Sequence, residues 1–223
     1  MTGRVLKTIL AVVLTVTLQL LPGFAWAQGA GVASFAPGTH GEPFAVQGLM
    51  QGCNEPELDG CMFYADGVRW AVSRGSVSNA AAIDVMAALP VNAPVFVTGD
   101  MISFGDITVD AAVAMVQPGT PDGYAALREA MQGDWVSADD PMSKLSLRGS
   151  EETAIYDAET LAVSVVTFSD ACPGGEPIGT VIFKQEMGGD PMDLPCFAVV
   201  QITADRMELS YVGRGNTLIY LRK

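Results

Sequence analysis

The chain has one histidine, His40, among its 223 residues. Its place in the N-terminal leader argues against most hydrolase mechanisms that depend on an imidazole base, and its solitude excludes every metal site built from several histidines. Other catalytic signatures are missing too. There is no Gly-x-Ser-x-Gly elbow, and the one adjacent Ser–Lys pair, Ser143-Lys144, would point to opposite faces of a strand. No Cys-x2–4-Cys pair exists to start a four-thiolate zinc site, and no Asp-x-Asp-x-Asp-Gly loop exists to wrap calcium. Positive charge is scarce, with 12 basic residues against 25 acidic ones. Long-range repulsion therefore makes nucleic acid and anionic lipid poor partners. The N-terminal apolar run, Ile9 to Leu21, has 13 residues, short of the ~20 that a membrane-crossing helix needs.

That run reads as the core of a signal peptide. Arg4 and Lys7 precede it, Pro22-Gly23 ends it, and Ala25-Trp26-Ala27 offers the small-x-small pattern of a cleavage site. Residues 1–27 are expected to be removed, leaving no membrane span and a chain that is periplasmic or secreted. Cleavage takes two basic residues and no acidic ones, so the formal charge moves from −13 to −15. In an oxidising compartment the four cysteines are expected to pair, and their spacing favours Cys53 with Cys61 and Cys172 with Cys196.

Composition divides the mature chain. Residues 28–42, rich in Gly, Ala, Ser and Pro, read as a flexible leader, and Gln117-Pro-Gly-Thr-Pro121 marks a break, giving units at 43–117 and 118–223. In the first, an extended stretch from Phe44 to Gly52 precedes a hairpin whose turn is Asp66-Gly67. A helix is expected from about Asn79 to Leu89, capped by Ser78, with Ile83, Met86 and Ala87 on one face. Two more strands follow, the last alternating through Ile107, Val109, Ala111, Val113 and Met115. Three strands, a helix and two strands is the order of a five-stranded OB barrel. The stretch Val97-Thr-Gly-Asp-Met-Ile-Ser103 resembles the fourth strand of exported bacterial OB-fold domains, a resemblance that covers residues 44–116.

The second unit opens with a short helix, Pro121 to Met131, capped by Thr120. Eight strands then follow, at 134–138, 143–148, 152–157, 160–168, 178–185, 196–203, 206–212 and 217–222, an up-and-down barrel pattern. Gly133-Asp-Trp135 after a short helix resembles the first-strand motif of the lipocalin and calycin group, over residues 120–223. The resemblance implies that an arginine near the chain end covers Trp135, with Arg222 the match by position and Arg214 the second choice. The fold class expected is mainly β: an OB-like barrel with one helix, then a short helix and a calycin-like barrel.

No residue set declares a catalytic centre, a cofactor or a metal. On the OB-like face of strands two and three, Met62, Tyr64, Arg69, Ala71 and Ser73 would be displayed, with Tyr64, Arg69 and Ser73 the contacts for a sugar or a protein loop. Asp139, Asp140, Glu151 and Glu152 form an acidic set that a carboxylate-dependent hydrolase would need to bring face to face. Asn54, Glu55, Glu57 and Asp59 place three carboxylates in the Cys53–Cys61 loop, a weak calcium signal. The expected function is non-enzymatic binding, with an acidic surface suited to a cationic protein or peptide. The alternatives are a module holding a small apolar or saccharide ligand at a barrel mouth, and the hydrolase.

Overall fold

The computed structural model describes residues 33–53, 58–75, 77, 80–190 and 192–223. The expected signal peptide, most of the Asn54–Asp59 loop and the Ser78 cap lie outside the described residues.

Alternating apolar positions close the first barrel. Its strands are β1 (Glu42–Cys53), β2 (Gly60–Ala65), β3 (Val68–Ser73), β4 (Pro94–Gly105) and β5 (Thr108–Pro118), in the closed order β1-β2-β3-β5-β4. Only the β3–β5 contact is parallel; Trp70 lies opposite Val109 there. Helix α1 (Ala80–Ala87) follows β3 and buries Ala82, Ile83 and Met86, while Ala87 faces solvent. Phe63, Trp70, Val72, Val95, Val97 and Val113 fill the interior. The Asp66-Gly67 turn has positive φ at both positions (53° and 75°), the geometry a tight hairpin needs.

The alternation expected for the last strand breaks within β5. Val109, Ala111 and Val113 face inward, but Val116 takes the next inward place and Met115 is only half-buried. An extra residue in the β4–β5 register between Thr98 and Gly99 shifts every later side chain to the other face. Gly99 permits this contact: a Cβ there would sit 2.0 Å from the Ala112 carbonyl oxygen.

The leader is not loose where it is described. The buried Asp100 carboxylate on β4 accepts the Gly38 and His40 amide N–H groups, the latter at 2.6 Å, and His40 packs edge-on against Phe35. Glu42 already belongs to β1, paired with Met101.

Helix α2 (Ala125–Met131) starts four residues later than expected. Asp122 accepts the Tyr124 amide at 3.0 Å, forming a local turn, and Gln47 of β1 grips Thr120 through both its amide oxygen and its amide nitrogen. These bonds hold 120–124 out of the helix. Eight strands follow: β6 (Gly133–Ser137), β7 (Ser143–Arg148), β8 (Glu151–Tyr156), β9 (Glu159–Ala171), β10 (Pro177–Glu186), β11 (Cys196–Ile202), β12 (Arg206–Tyr211) and β13 (Thr217–Arg222). Each pairs antiparallel with its sequence neighbour, and β13 closes on β6, so the barrel runs strictly up and down. Trp135, Ile182, Met207 and Leu209, all fully buried, form its centre.

Disulfides join Cys53 to Cys61 across the β1–β2 pair and Cys172 to Cys196 beside β11. Two such bonds suit an oxidising compartment outside the cytoplasm. Among the described residues no helix is long and apolar enough to cross a membrane.

Candidate functional site

Trp135 and Arg222 lie opposite one another across the β13–β6 closure. The guanidinium carbon stands 4.2 Å from the indole centroid. Arg222 also donates to three carbonyl oxygens, those of Ala130, Gln132 and Ala204, and the Trp135 indole N–H donates to Met131 at 2.8 Å. One stack therefore pins the end of α2, the chain end and the β11–β12 loop together. Arg214 lies elsewhere, over Tyr211 at 5.0 Å.

The face of β2 and β3 is not open for binding. Met62 and Tyr64 are buried, and the outer wall of the second barrel covers Tyr64. Tyr64 packs with Ile107, Val165 of β9 and Met187, and its hydroxyl donates to Glu151 at the start of β8. Arg69 is turned onto the Met62 sulfur, at 2.8 and 3.0 Å, and Ser73, half-buried, ends β3 opposite Gly60. This face is an internal junction, and no local pattern in β2 or β3 announces that a neighbour covers it.

Two glutamines fasten that junction, and a third, Gln132, ties the end of α2 to the β7–β8 turn within the second barrel. Besides Gln47, the buried Gln51 donates to the Arg148 carbonyl at 2.8 Å and accepts the Ser150 amide at 3.0 Å. Gln132 accepts the Gly149 amide at 2.6 Å and donates to the Gly149 carbonyl at 3.1 Å. Sequence reasoning missed all three. A buried glutamine is signalled only by its place among apolar neighbours, as at Met50-Gln51-Gly52.

The acidic set is not a catalytic pair. Asp139 and Asp140 precede β7, whereas Glu151 and Glu152 follow it, so a six-residue strand of about 17–20 Å separates them. Glu152 points into the second barrel, 4 % exposed, and one of its oxygens meets the Lys184 ammonium at 2.5 Å. Its other oxygen is buried without a partner among the described residues. Lys184 also sits 5.0 Å from the Phe197 ring. Burial first, and the Glu152 charge second, push the Tyr220 hydroxyl up to about 12. The side chain that Glu152 meets is thus the Lys184 ammonium, and among the described residues no second carboxyl is bonded to it to share acid and base roles. Among the described residues no group of three His, Cys, Asp or Glu side chains is placed to hold a metal ion.

What the barrel does collect is charge at one end. In an up-and-down barrel alternate loops share an end, so the loops β6–β7, β8–β9, β10–β11 and β12–β13 lie together. Asp139 and Asp140, then Asp157 and Glu159, then Glu186, Asp190 and Asp193 stand there, all but Asp140 exposed. Met142, Tyr156 and Met192 are exposed beside them. Arg214 is the sole basic residue of the four loops. Arg214 itself lies over the Tyr211 ring, and six other cationic side chains serve internal contacts: Arg74 with Asp84, Arg128 with Asp122, Lys184 with Glu152, Arg206 with Glu208, Arg69 on sulfur and Arg222 on the Trp135 ring. No protein-family model matches the chain, and neither curated proteins nor solved structures give a significant match to it.

Proposed function

We propose that this is an exported, non-enzymatic interaction protein that offers the acidic open end of its second barrel to a cationic protein or peptide. We read the first barrel as OB-like, from its strand order and parallel β3–β5 contact, and the second as calycin-like, from the Trp135–Arg222 closure. One observation carries the functional reading: seven carboxylates from three loops meet at one rim, while most basic side chains are engaged internally. Uncompensated charge of one sign steers an oppositely charged partner and speeds its encounter. The exposed Met142, Tyr156 and Met192 supply adaptable apolar contact inside that field.

A fluorescent oligolysine peptide tests this. Its affinity for the exported protein should fall about tenfold between roughly 50 and 200 mM salt. Replacing Asp139, Asp157 and Glu159 by their amides should weaken it comparably without changing the melting temperature. Salt-independent binding, or binding untouched by the triple change, would sink the proposal.

A further inference from the structure

The β10–β11 loop that carries Asp190 and Asp193 to the rim also lines an apolar crevice of about 410 Å³. Met192 and Leu194 line it from that loop, and Pro173 and Gly174 from the turn after β9. The Cys172–Cys196 disulfide joins the two segments and belongs to the same lining. None of these six residues is ionisable. The volume lies within the roughly 300–1,000 Å³ of small-ligand pockets.

The walls are fixed before any partner arrives. A side-chain oxygen of Asp190 accepts the Met192 amide at 2.9 Å, and the Asp190 carbonyl accepts the Asp193 amide at 3.0 Å. The Pro195 carbonyl accepts the Lys184 amide at 3.0 Å, and the Cys196 carbonyl accepts that of Val212 at 2.9 Å. Across the disulfide, the Gly175 amide closes its turn on the Cys172 carbonyl at 2.9 Å. A recess held open in this way takes an apolar guest without first having to be ordered. Met192 is 86 % exposed, so its flexible thioether is free to pack on that guest.

The surrounding charge selects what carries the guest. Asp190 and Asp193 stand on either side of Met192 in the chain, and Glu176 follows the Pro173-Gly174 turn, all three exposed. Between Arg148 and Arg206 the sequence holds one basic residue, Lys184, and that ammonium is engaged by the buried Glu152. A cationic carrier is drawn in by such a field, and an anionic one is repelled. We propose that the crevice takes a bulky apolar side chain, such as that of phenylalanine, from a peptide whose neighbouring residues are lysine or arginine. This anchor rests on the proposed landing of a cationic partner at the rim and adds its specificity. Basic residues meet Asp190 and Asp193 while the apolar residue between them enters the crevice. With both contacts in one chain, the second forms as an intramolecular step.

Three fluorescent peptides of equal length test it by anisotropy with the exported protein: oligolysine, oligolysine with one central phenylalanine, and a glycine–serine peptide with the same phenylalanine. The lysine–phenylalanine peptide should bind about tenfold more tightly than oligolysine, the gain from burying most of one ring. Added salt should weaken both lysine peptides and leave that ratio standing. Leu194→Ala and Met192→Ala should each cut the ratio by about threefold or more. Met192 is exposed, so its variant should keep the parent melting temperature even where Leu194→Ala lowers it. Equal affinity for the two lysine peptides, a ratio unaltered in both variants, or a glycine–serine peptide that binds as tightly as its lysine counterpart would overturn the anchor, while oligolysine binding at the rim would stand. Binding of neither lysine peptide would overturn the anchor and the rim together.

Discussion

At Trp135 the same side chain fills the centre of the second barrel and carries the Arg222 guanidinium on its face. The two contributions differ in kind. Removing the indole opens a void among Leu145, Met207 and Leu209, so Trp135→Ala should cost about 3–5 kcal/mol. Arg222→Ala loses stacking and stem packing and should cost about 1–2 kcal/mol. Thermal unfolding of both variants checks the order; a Trp135→Ala protein that melts like the parent would refute the closure. This contact was legible in the sequence because Gly133-x-Trp135 and a terminal arginine are local signals. The fate of Tyr64 was not. Alternation in β2 gives the side of the strand on which it projects, but only the folded chain reveals that Val165 and Glu151 cover that side.

Among the elements, the eight strands of the second barrel were read within about three residues because turn residues punctuate them; β7 and β13 have the expected bounds. The misreadings arose where one contact overrode a pattern. Asp122 and Gln47 delay α2, and the bulge at Gly99 shifts β5 by one place. The leader was read as loose because its composition says so, yet Asp100 of β4 holds it. Burial raises the pKa of that carboxyl, but N–H groups of Gly38, His40 and Gly41 and the His40 charge outweigh burial, and the net shift is downward. A depressed folded-state pKa contributes stability that is present above the unfolded value, near 4, and is lost as pH falls through the folded one. Amide protection at Gly38 and His40 should therefore decline in acid below about pH 4. In Asp100→Asn the protection should be weak at every pH; a variant that still loses protection on acidification would show that another group is responsible.

The whole molecule is two closed barrels that meet at a hydrogen-bonded junction. Gln51 reaches across to Arg148 and Ser150 from a position 1 % exposed, and its loss removes one donor and one acceptor from the backbone there. Gln51→Ala should cost about 1–3 kcal/mol and split a single unfolding transition into two, as one barrel melts ahead of the other. Differential scanning calorimetry measures this; one undivided transition in the variant would mean that the apolar contact of Tyr64, Ile107 and Val165 is enough to couple them.

The amides of Gln47, Gln51 and Gln132 carry no net charge and do not titrate across the physiological range. A protein with so many carboxylates would ordinarily swell or rearrange as ions and protons come and go around it. Here seven of the carboxylates stand at the rim, and the Gln47 and Gln51 contacts that set one barrel against the other are electrically silent. Changes in pH or salt can then tune what the rim attracts while the Gln47 and Gln51 contacts beneath it keep their charge state.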